Sequence, residues 1–261
     1  MLYLKDNLLK FNLSKMVVLA DFNKTLTKGN SRTTWSILAT SNLFDENYKK
    51  ERNELYSTYK HFEEDETLDF EIRKKGLEEW WKKHIKLFTK YKLNESLIRE
   101  SLEKEDIINL REGVKEFLTF LNNNHIPLVI ISQGIGNFVK ACLEMNECYF
   151  DNIYIASNMI KFNDSIASGY EGNIIHSLNK DEVQLPLNII EGRNQTLLIG
   201  DELNDLKMEC LTRKNEILKI GFLTQQHEDK LMLYNQKFDV VCSNNTSFNE
   251  IGTLLFEKYI N

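Results

Sequence analysis

Acidic and hydroxyl side chains follow three apolar runs of the sequence that suit buried strands. Asp21 follows the run MVVLA, Ser132 follows PLVII, and Asp201 follows TLLIG. Asp205 comes four residues after Asp201, which is about one helical turn away and on the same side of a helix. Because open α/β sheets bind ligands at the carboxyl ends of their strands, we expect these side chains to meet at one edge of a sheet.

This set of groups suits phosphoryl transfer. A carboxylate such as Asp21 can attack phosphorus, and Mg²⁺ held by hard oxygen ligands neutralises the repulsion between the two anions. The Ser132 hydroxyl, the N–H groups at the next helix start and the Lys180 ammonium group would bind phosphate oxygens. Each group alone also has a structural explanation, because strand-end acids often cap helices and single lysines usually lie on the surface. The order of the four pieces along the chain favours the chemical interpretation.

Apolar runs that alternate with helical patterns predict an α/β fold. The predicted strands lie at 16–20, 127–131, 196–200, 217–222 and 238–242. The predicted helices lie at 111–124, 134–146, 181–191, 203–211, 226–235 and 246–259. This alternation predicts a Rossmann-like, doubly wound parallel sheet.

The interval from about 32 to 110 interrupts this alternation. It has no strand-like run, contains the single glycine Gly76, and carries amphipathic helical patterns such as DFEIRKKGLEEWWKKHIKLFTKY. We therefore expect a helical cap at 32–110, inserted after the first strand, with the core formed by 1–31 and 111–261. A second irregular piece at 153–177 predicts two β runs around the turn NDS.

Composition excludes several classes of protein. The 261 residues carry a net charge of −6, which argues against a protein that coats a nucleic acid polymer. The four cysteines show no CxxC spacing, which predicts reduced thiols in a cytoplasmic protein. The start MLYLKDNLLKFNLSK lacks the apolar run of a signal peptide and predicts a short segment packed on the body. No apolar run is long enough to cross a membrane, and we expect a monomer.

The pieces DFNKT, ISQG, Lys180 and IGDELND resemble the four successive motifs of the haloacid dehalogenase superfamily. The stretches TTWSIL, LEEWWKKH, EDIINLREGVKEFLTFL, IPLVIISQGIGNFV, GYEGNIIHSLNK and ILKIGFL resemble the cytosolic pyrimidine 5′-nucleotidase family (cytosolic 5′-nucleotidase III). This resemblance covers nearly the whole chain, including the cap. It implies an Mg²⁺-dependent phosphatase of nucleoside 5′-monophosphates that works through an aspartyl-phosphate.

The resemblance also implies a role for each core residue. Asp21 would be the nucleophile, and Asp21, Asp201 and the main-chain carbonyl of Asn23 would ligate Mg²⁺. Asp205 would orient ligands or water at the metal. The residues that would hold the phosphoryl group, or let the backbone approach it, are Ser132, Lys180 and Gly134.

In the cap, the resemblance points to a pocket for the nucleotide base. Glu63 falls where the family has an acid near the base, although the neighbouring Glu64 leaves the register open. His84 falls where the family has a small hydroxyl residue, so the base preference is open. The aromatic residues that could stack on a base, or alternatively form the cap core, are Phe62, Trp80 and Trp81.

Asn23 departs from the family pattern, in which an Asp at this position protonates the leaving oxygen and later activates water. An amide cannot exchange a proton usefully near neutral pH, and losing such help typically costs ~10²–10⁴ in rate. Three explanations are open: an introduced change that holds a bound species, a natural slow phosphatase or phosphotransferase, and a protein that only binds its ligand. The alternative of a different class is therefore a non-catalytic nucleotide-binding module. The alternative enzyme is a phosphatase for another small phosphomonoester, because the cap sets specificity and His84 departs from the family pattern there.

Overall fold

A seven-stranded sheet lies at the centre of the structure, a computed structural model that describes residues 1–6, 8, 10–40, 43–103, 108–212 and 215–260. The strands of the described residues are β1 (Tyr3–Leu4), β2 (Met16–Ala20), β3 (Leu128–Ile135), β4 (Ile153–Asn158), β5 (Ile160–Asn163), β6 (Ile166–Tyr170), β7 (Gln195–Gly200), β8 (Glu216–Leu223) and β9 (Val240–Ser243). The order across the sheet is β1-β9-β8-β7-β2-β3-β4, in which only β1 runs antiparallel to its neighbour. The predicted α/β fold with a mostly parallel sheet is confirmed.

All five predicted strands belong to this sheet, as β2, β3, β7, β8 and β9. Every residue of β2 is buried, because the sheet is covered on both faces. Val18 and Ala20 belong to the apolar cluster on one side, whereas Val17 and Leu19 belong to the cluster on the other side. A strand that must be apolar on both faces shows no alternation, which explains the run MVVLA.

The segment predicted as two β runs around NDS has a different arrangement. Strands β5 and β6 form the expected hairpin, with positive φ angles of 46° at Asp164 and 64° at Ser165, as a tight two-residue hairpin turn requires. The preceding run, however, is β4, which pairs in parallel with β3 at the edge of the main sheet. The prediction missed the place of this strand in the main sheet because a β run does not reveal its pairing partner.

The helices fall into two groups, before and after residue 110. The α-helices are α1 (Ile37–Thr40), α2 (Glu46–Tyr59), α3 (His61–Glu64), α4 (Phe70–Lys90), α5 (Glu95–Glu103), α6 (Val114–Asn123), α7 (Gly136–Met145), α8 (Leu187–Ile190), α9 (Leu231–Lys237) and α10 (Phe248–Ile260). The 3₁₀ segments are Leu13–Lys15, Lys180–Glu182, Leu203–Thr212 and Gln225–Lys230.

Three predicted core helices differ from the structure. The helix predicted at 181–191 is wrong, since only the 3₁₀ turn Lys180–Glu182 and the short α8 occur there. Pro186 accounts for this, because proline lacks an N–H group and pushes the preceding residue towards an extended conformation. The predicted helix at 203–211 is a 3₁₀ helix, and His227 breaks the one predicted at 226–235.

Helices α1 to α5 lie between β2 and β3 in the chain, and all of them except α3 contribute to one apolar cluster with part of α7 and the hairpin. The hairpin contacts this group directly, since the Thr89 hydroxyl donates to the Ala167 carbonyl at 2.7 Å and the Ala167 N–H donates to the Leu93 carbonyl at 2.8 Å. That residues 32–110 act as a separate cap domain stays a prediction, and its residues 41–42 and 104–107 lie outside the described residues.

Candidate active site

The loop after β2 carries the first acid of the candidate site. Asp21 is buried at the strand end, and the chain then turns so that the N–H groups of Leu26 and Thr27 both donate to the Phe22 carbonyl. Lys24 has a positive φ of 58° within this turn. We call residues 21–27 the nucleophile loop, after the predicted role of Asp21. Its shape presents Asp21 at the carboxyl edge of the sheet.

Lys180 joins two acids of this edge. Its side chain is 3% exposed, and its Nζ donates to Asp21 Oδ1 and to Asp205 Oδ1, each at 2.7 Å. Asp205 is held through its other oxygen as well, because Oδ2 accepts the N–H groups of Asp201 and Glu202 at 2.9 Å. Asp205 therefore organises the edge with both of its oxygens occupied.

The acidic side chains at this edge outnumber the basic ones, and burial shifts their pKa values. It raises the pKa of Asp21 to about 6, against the opposing effect of Lys180, and it raises the pKa of Asp201 well above the ordinary value. Burial, with the charge of Asp205, also raises the pKa of Glu202 to about 7. Burial alone would lower the pKa of Lys180, but its two acid partners raise it above the ordinary value. A cation would relieve this excess of negative charge.

The oxygen donors of this edge fit a small divalent cation. Within the described residues, no side-chain donor bonds to Asp21 Oδ2, Asp201 Oδ2 or the Asn23 carbonyl, whereas Asp201 Oδ1 accepts from the Thr25 hydroxyl at 2.9 Å. Two carboxylates and a carbonyl suit Mg²⁺, which commonly takes one or two protein carboxylates and keeps water or substrate oxygens as its other ligands. No group of three or more His, Cys, Asp or Glu side chains in the described residues forms a metal centre.

The orientation of the Asn23 amide follows from one hydrogen bond. Asn23 Oδ1 accepts the Thr34 N–H at 2.9 Å, and a backbone N–H can only donate, so the amide oxygen faces Thr34. The Nδ2 group then points to the hydroxyls of Ser132 and Thr34, each 3.5 Å away, which is longer than an ordinary hydrogen bond. The acceptor end is held firmly, and the donor end is held loosely.

Gly134 allows a close contact between the sheet edge and the helical segment. A Cβ atom there would lie 1.9 Å from Thr34 Oγ1, so no side chain fits without a shift of Thr34. The Thr34 hydroxyl accepts the Ile135 N–H at 3.2 Å, and the Ser132 hydroxyl accepts the Gly134 N–H at the same distance. The glycine thus brings Thr34, Asn23 and Ser132 together.

A cavity of about 180 Å³ lies between this edge and the helices. Of the sequence-predicted site residues, those that line it are Asp21, Asn23, Glu63, Trp80, Trp81, Gly134, Lys180, Asp201 and Asp205. Burial raises the pKa of Glu63, and the nearby Ser177 hydroxyl acts against this. Glu64 does not line the cavity. We call the part of the cavity lining that comes from residues 32–110 the wall. Of the two neighbouring acids, Glu63 therefore belongs to the wall.

Two predicted base-binding residues lie behind the wall instead of in it. His84 is 1% exposed among Trp35, Trp80 and Trp81, and burial lowers its pKa to about 3. Neither of its ring nitrogens has a hydrogen-bond partner in the described residues. Phe62 packs on Gly76, where a Cβ atom would lie 2.3 Å from the ring. Both residues support the wall, and the cavity is not lined by either.

The sequence interpretation missed several lining residues. The aromatic ones are Trp35 and Tyr56, whose ring centres lie 5.8 Å apart, and Arg52 stacks on Trp35 at 3.8 Å. Trp35 belongs to the quoted stretch TTWSIL, close after the nucleophile loop, which could have revealed it. Tyr56 lies in an ordinary charged helix and gave no such signal. Other missed lining residues are Lys24, Thr33, Leu77, Gln133, His176 and Glu202.

The mostly parallel sheet, with helices inserted after β2, is the fold of haloacid dehalogenase-type phosphatases, and comparison with solved structures agrees. The structure matches phosphoserine phosphatase, solved as a phospho-aspartyl intermediate analogue, with a TM-score of 0.56 at 22% identity, over 92% of this chain and 98% of that one. At that identity the likeness shows the fold alone. A closer match is the crystal structure of cytosolic 5′-nucleotidase IIIB bound to cytidine, with a TM-score of 0.83 at 26% identity, over 93% of this chain and 85% of that one.

The family model for pyrimidine 5′-nucleotidase (UMPH-1) matches residues 20–258, and the chain belongs to this family. The human 7-methylguanosine phosphate-specific 5′-nucleotidase is 29% identical over 252 residues, covering 92% of this chain and 84% of the relative. Its counterpart in Drosophila melanogaster is 27% identical over 253 residues, covering 92% and 79%. These relatives are phosphoric monoester hydrolases, so the predicted enzyme class is confirmed. Among the described residues, the helices are all too short or too polar to span a membrane.

Proposed function

We propose that this chain is an Mg²⁺-dependent phosphatase of nucleoside 5′-monophosphates that forms an aspartyl-phosphate on Asp21 and turns over slowly. The observation that carries the proposal is the buried bridge from Lys180 to Asp21 and Asp205, which lies at the bottom of a cavity with an aromatic wall. A nucleotide has a matching shape, with an anionic group at one end and a flat base at the other.

In the first step, the Asp21 carboxylate forms a bond to phosphorus while the bond from phosphorus to the ribose oxygen breaks, and the nucleoside leaves. In the second step, water attacks phosphorus, which releases inorganic phosphate and restores Asp21. Lys180 and the Ser132 hydroxyl donate hydrogen bonds to the phosphoryl oxygens as charge shifts. Asp21, Asp201 and the Asn23 carbonyl would hold Mg²⁺, and the bound ion would neutralise the repulsion between the Asp21 carboxylate and the phosphate.

Slow turnover follows from the geometry of residue 23. The amide of Asn23 keeps its bond to the Thr34 N–H, and its loosely held Nδ2 group can donate to a phosphoryl oxygen. It cannot carry the proton that the leaving oxygen takes up or the proton that the attacking water loses. Position 23 therefore supports binding while both proton transfers depend on solvent or on another group.

The wall suits a flat base that carries N–H donors or positive charge. Trp35, Tyr56 and Trp80 provide aromatic faces, and the half-buried Glu63 carboxylate accepts hydrogen bonds or pairs with a cation. We propose that the base is either a pyrimidine, as the family name suggests, or 7-methylguanine, as the names of the curated relatives suggest. We expect the protein to be a monomer and to work in the cytoplasm. The second expectation fits the four cysteines, which are all free thiols.

The test is phosphate release from a panel of CMP, UMP, 7-methyl-GMP and sugar phosphates, with Mg²⁺ and with EDTA. The expected result is slow release from at least one nucleotide, with dependence on Mg²⁺ and complete loss in Asp21→Ala. If the enzyme prefers sugar phosphates, the nucleotide assignment is wrong and the chain is a phosphatase of another small phosphomonoester. Nucleotide binding without release, in both this chain and Asn23→Asp, would establish the binding module.

A further inference from the structure

Arg111 lies directly beneath the nucleophile loop. The segment before it runs antiparallel to the end of the loop, with a bridge between Thr27 and Leu110, and the Arg111 N–H donates to the Leu26 carbonyl at 2.9 Å. The Arg111 side chain is 4% exposed and stacks on Phe222, with the guanidinium 3.9 Å from the ring centre. A long polar side chain in this position needs partners for all of its donors.

These partners are backbone carbonyls. Nε donates to the Thr25 carbonyl at 2.8 Å, Nη2 donates to the Lys24 carbonyl, and Nη1 donates to the carbonyl of Asn244, which follows β9. None of the ion pairs among the described residues involves Arg111, although the Asp201 charge acts favourably on its guanidinium. The guanidinium of arginine holds these three carbonyls with donors fixed in one plane on two edges, a geometry that the compact, rotatable ammonium group of lysine does not reproduce.

The carbonyls that Arg111 holds control two features of the site. Lys24, at φ 58°, directly follows the carbonyl of Asn23 that is proposed as a metal ligand, so fixing the Lys24 peptide limits how that carbonyl can turn. Thr25 carries the hydroxyl that holds Asp201 Oδ1 at 2.9 Å. Both metal-facing groups thus depend on peptide units that the guanidinium holds.

We propose that Arg111 is a positioning residue that sets the nucleophile loop and Asp201 in the arrangement that binds Mg²⁺. It touches neither substrate nor metal, and it acts through the Lys24 and Thr25 carbonyls. The inference rests on the metal-dependent reaction proposed above. Residues that orient metal ligands in this indirect way typically contribute 10–100-fold to metal affinity.

The chain offers a matched control in Arg193. This arginine also holds backbone carbonyls, those of Met16 at 2.7 Å and His125 at 3.1 Å, but it does so at the amino end of β2, opposite the site. Arg193→Met removes a comparable structural clamp from the same strand. If the loss of Arg111 weakened Mg²⁺ binding only by lowering stability, Arg111→Met and Arg193→Met would therefore lose affinity alike.

The experiment measures Mg²⁺ affinity by isothermal titration calorimetry, together with the Mg²⁺-induced shift in melting temperature, for the parent, Arg111→Met, Arg111→Lys and Arg193→Met. We expect Mg²⁺ to bind Arg111→Met about tenfold or more weakly than the parent, with Arg111→Lys in between and Arg193→Met unchanged. At saturating Mg²⁺, kcat should fall more than KM rises. If Arg111→Met does not fold, as circular dichroism would show, Arg111→Lys decides the question by the same measurement.

Parent-like Mg²⁺ affinity in the folded Arg111 variant, or an equal loss in Arg193→Met, would overturn the positioning role while leaving the proposed function in place. Absence of Mg²⁺ binding by the parent itself would instead refute the metal dependence of the proposed function, and the role of Arg111 with it. Nucleotide preference does not enter either outcome.

Discussion

Replacing Asn23 by Asp should raise the rate of phosphate release by ~10²–10⁴, the usual contribution of a positioned acid–base group. The change is isosteric, and the oxygen that accepts the Thr34 N–H at 2.9 Å keeps its partner. The other atom changes from a donor to an acceptor, and it faces two hydroxyl groups at 3.5 Å, those of Ser132 and Thr34. Both hydroxyls can donate to a carboxylate, so these contacts can shorten without a clash.

The rate gain corresponds to ~3–5 kcal/mol of transition-state free energy. A smaller opposing effect is expected on binding, because the new carboxylate adds negative charge to a cavity that Asp21, Asp201 and Glu202 already line. KM should therefore rise, and the gain in kcat/KM should be smaller than the gain in kcat. A large rise in kcat together with a rise in KM would show that the parent lacks a proton carrier but still binds its substrate.

The assay is continuous phosphate release at saturating Mg²⁺ for the parent, Asn23→Asp, Asn23→Ala and Asn47→Asp. Asn47 is exposed on α2, so its replacement adds the same charge away from the cavity. If Asn23→Asp releases phosphate no faster than the parent from any nucleotide in the panel, the assignment of a proton-transfer role to position 23 is refuted.

Two further predictions concern buried charges. Lys180→Met should lower the free energy of unfolding by ~3–5 kcal/mol in urea denaturation without Mg²⁺, because Asp21 and Asp205 both lose their buried partner; a loss below about 1 kcal/mol would contradict the bridge. Burial lowers the pKa of His84 from 6.5 to about 3, so the unfolded chain binds this proton at a higher pH than the folded protein does. The contribution of His84 to the free energy of unfolding is therefore complete above about pH 6.5 and is lost as the pH falls towards 3. Between about pH 8 and pH 5, His84 should lower the free energy of unfolding by ~2 kcal/mol. In His84→Phe, this part of the pH dependence of urea unfolding should be absent. An unchanged pH dependence in that variant would show that His84 is not held neutral in the fold.

Much of the site was open to sequence interpretation because its parts are local. Each acid or hydroxyl directly follows an apolar run, and parallel strands end at the same edge, so Asp21, Ser132 and Asp201 could be placed without a structure. The error at 181–191 was also local, since Pro186 was visible in the sequence and outweighs the helical pattern around it. The contacts of His84 were not visible, because a histidine at helical spacing can face a cavity or a core equally well.

By itself, the sequence determined the class of fold, the five strands β2, β3, β7, β8 and β9 of the central sheet and the edge where the carboxylates gather, since these follow from hydrophobic pattern and short-range geometry. Only the tertiary structure decided which side chains meet across long separations: Trp35 with Tyr56 on the cavity wall, and Arg111 with the carbonyl of Asn244. The same holds for the pairing of β4 with β3. The physical reason is that burial and pairing depend on partners remote in the chain, whose approach is set by the packing of the whole and leaves no mark on the local pattern.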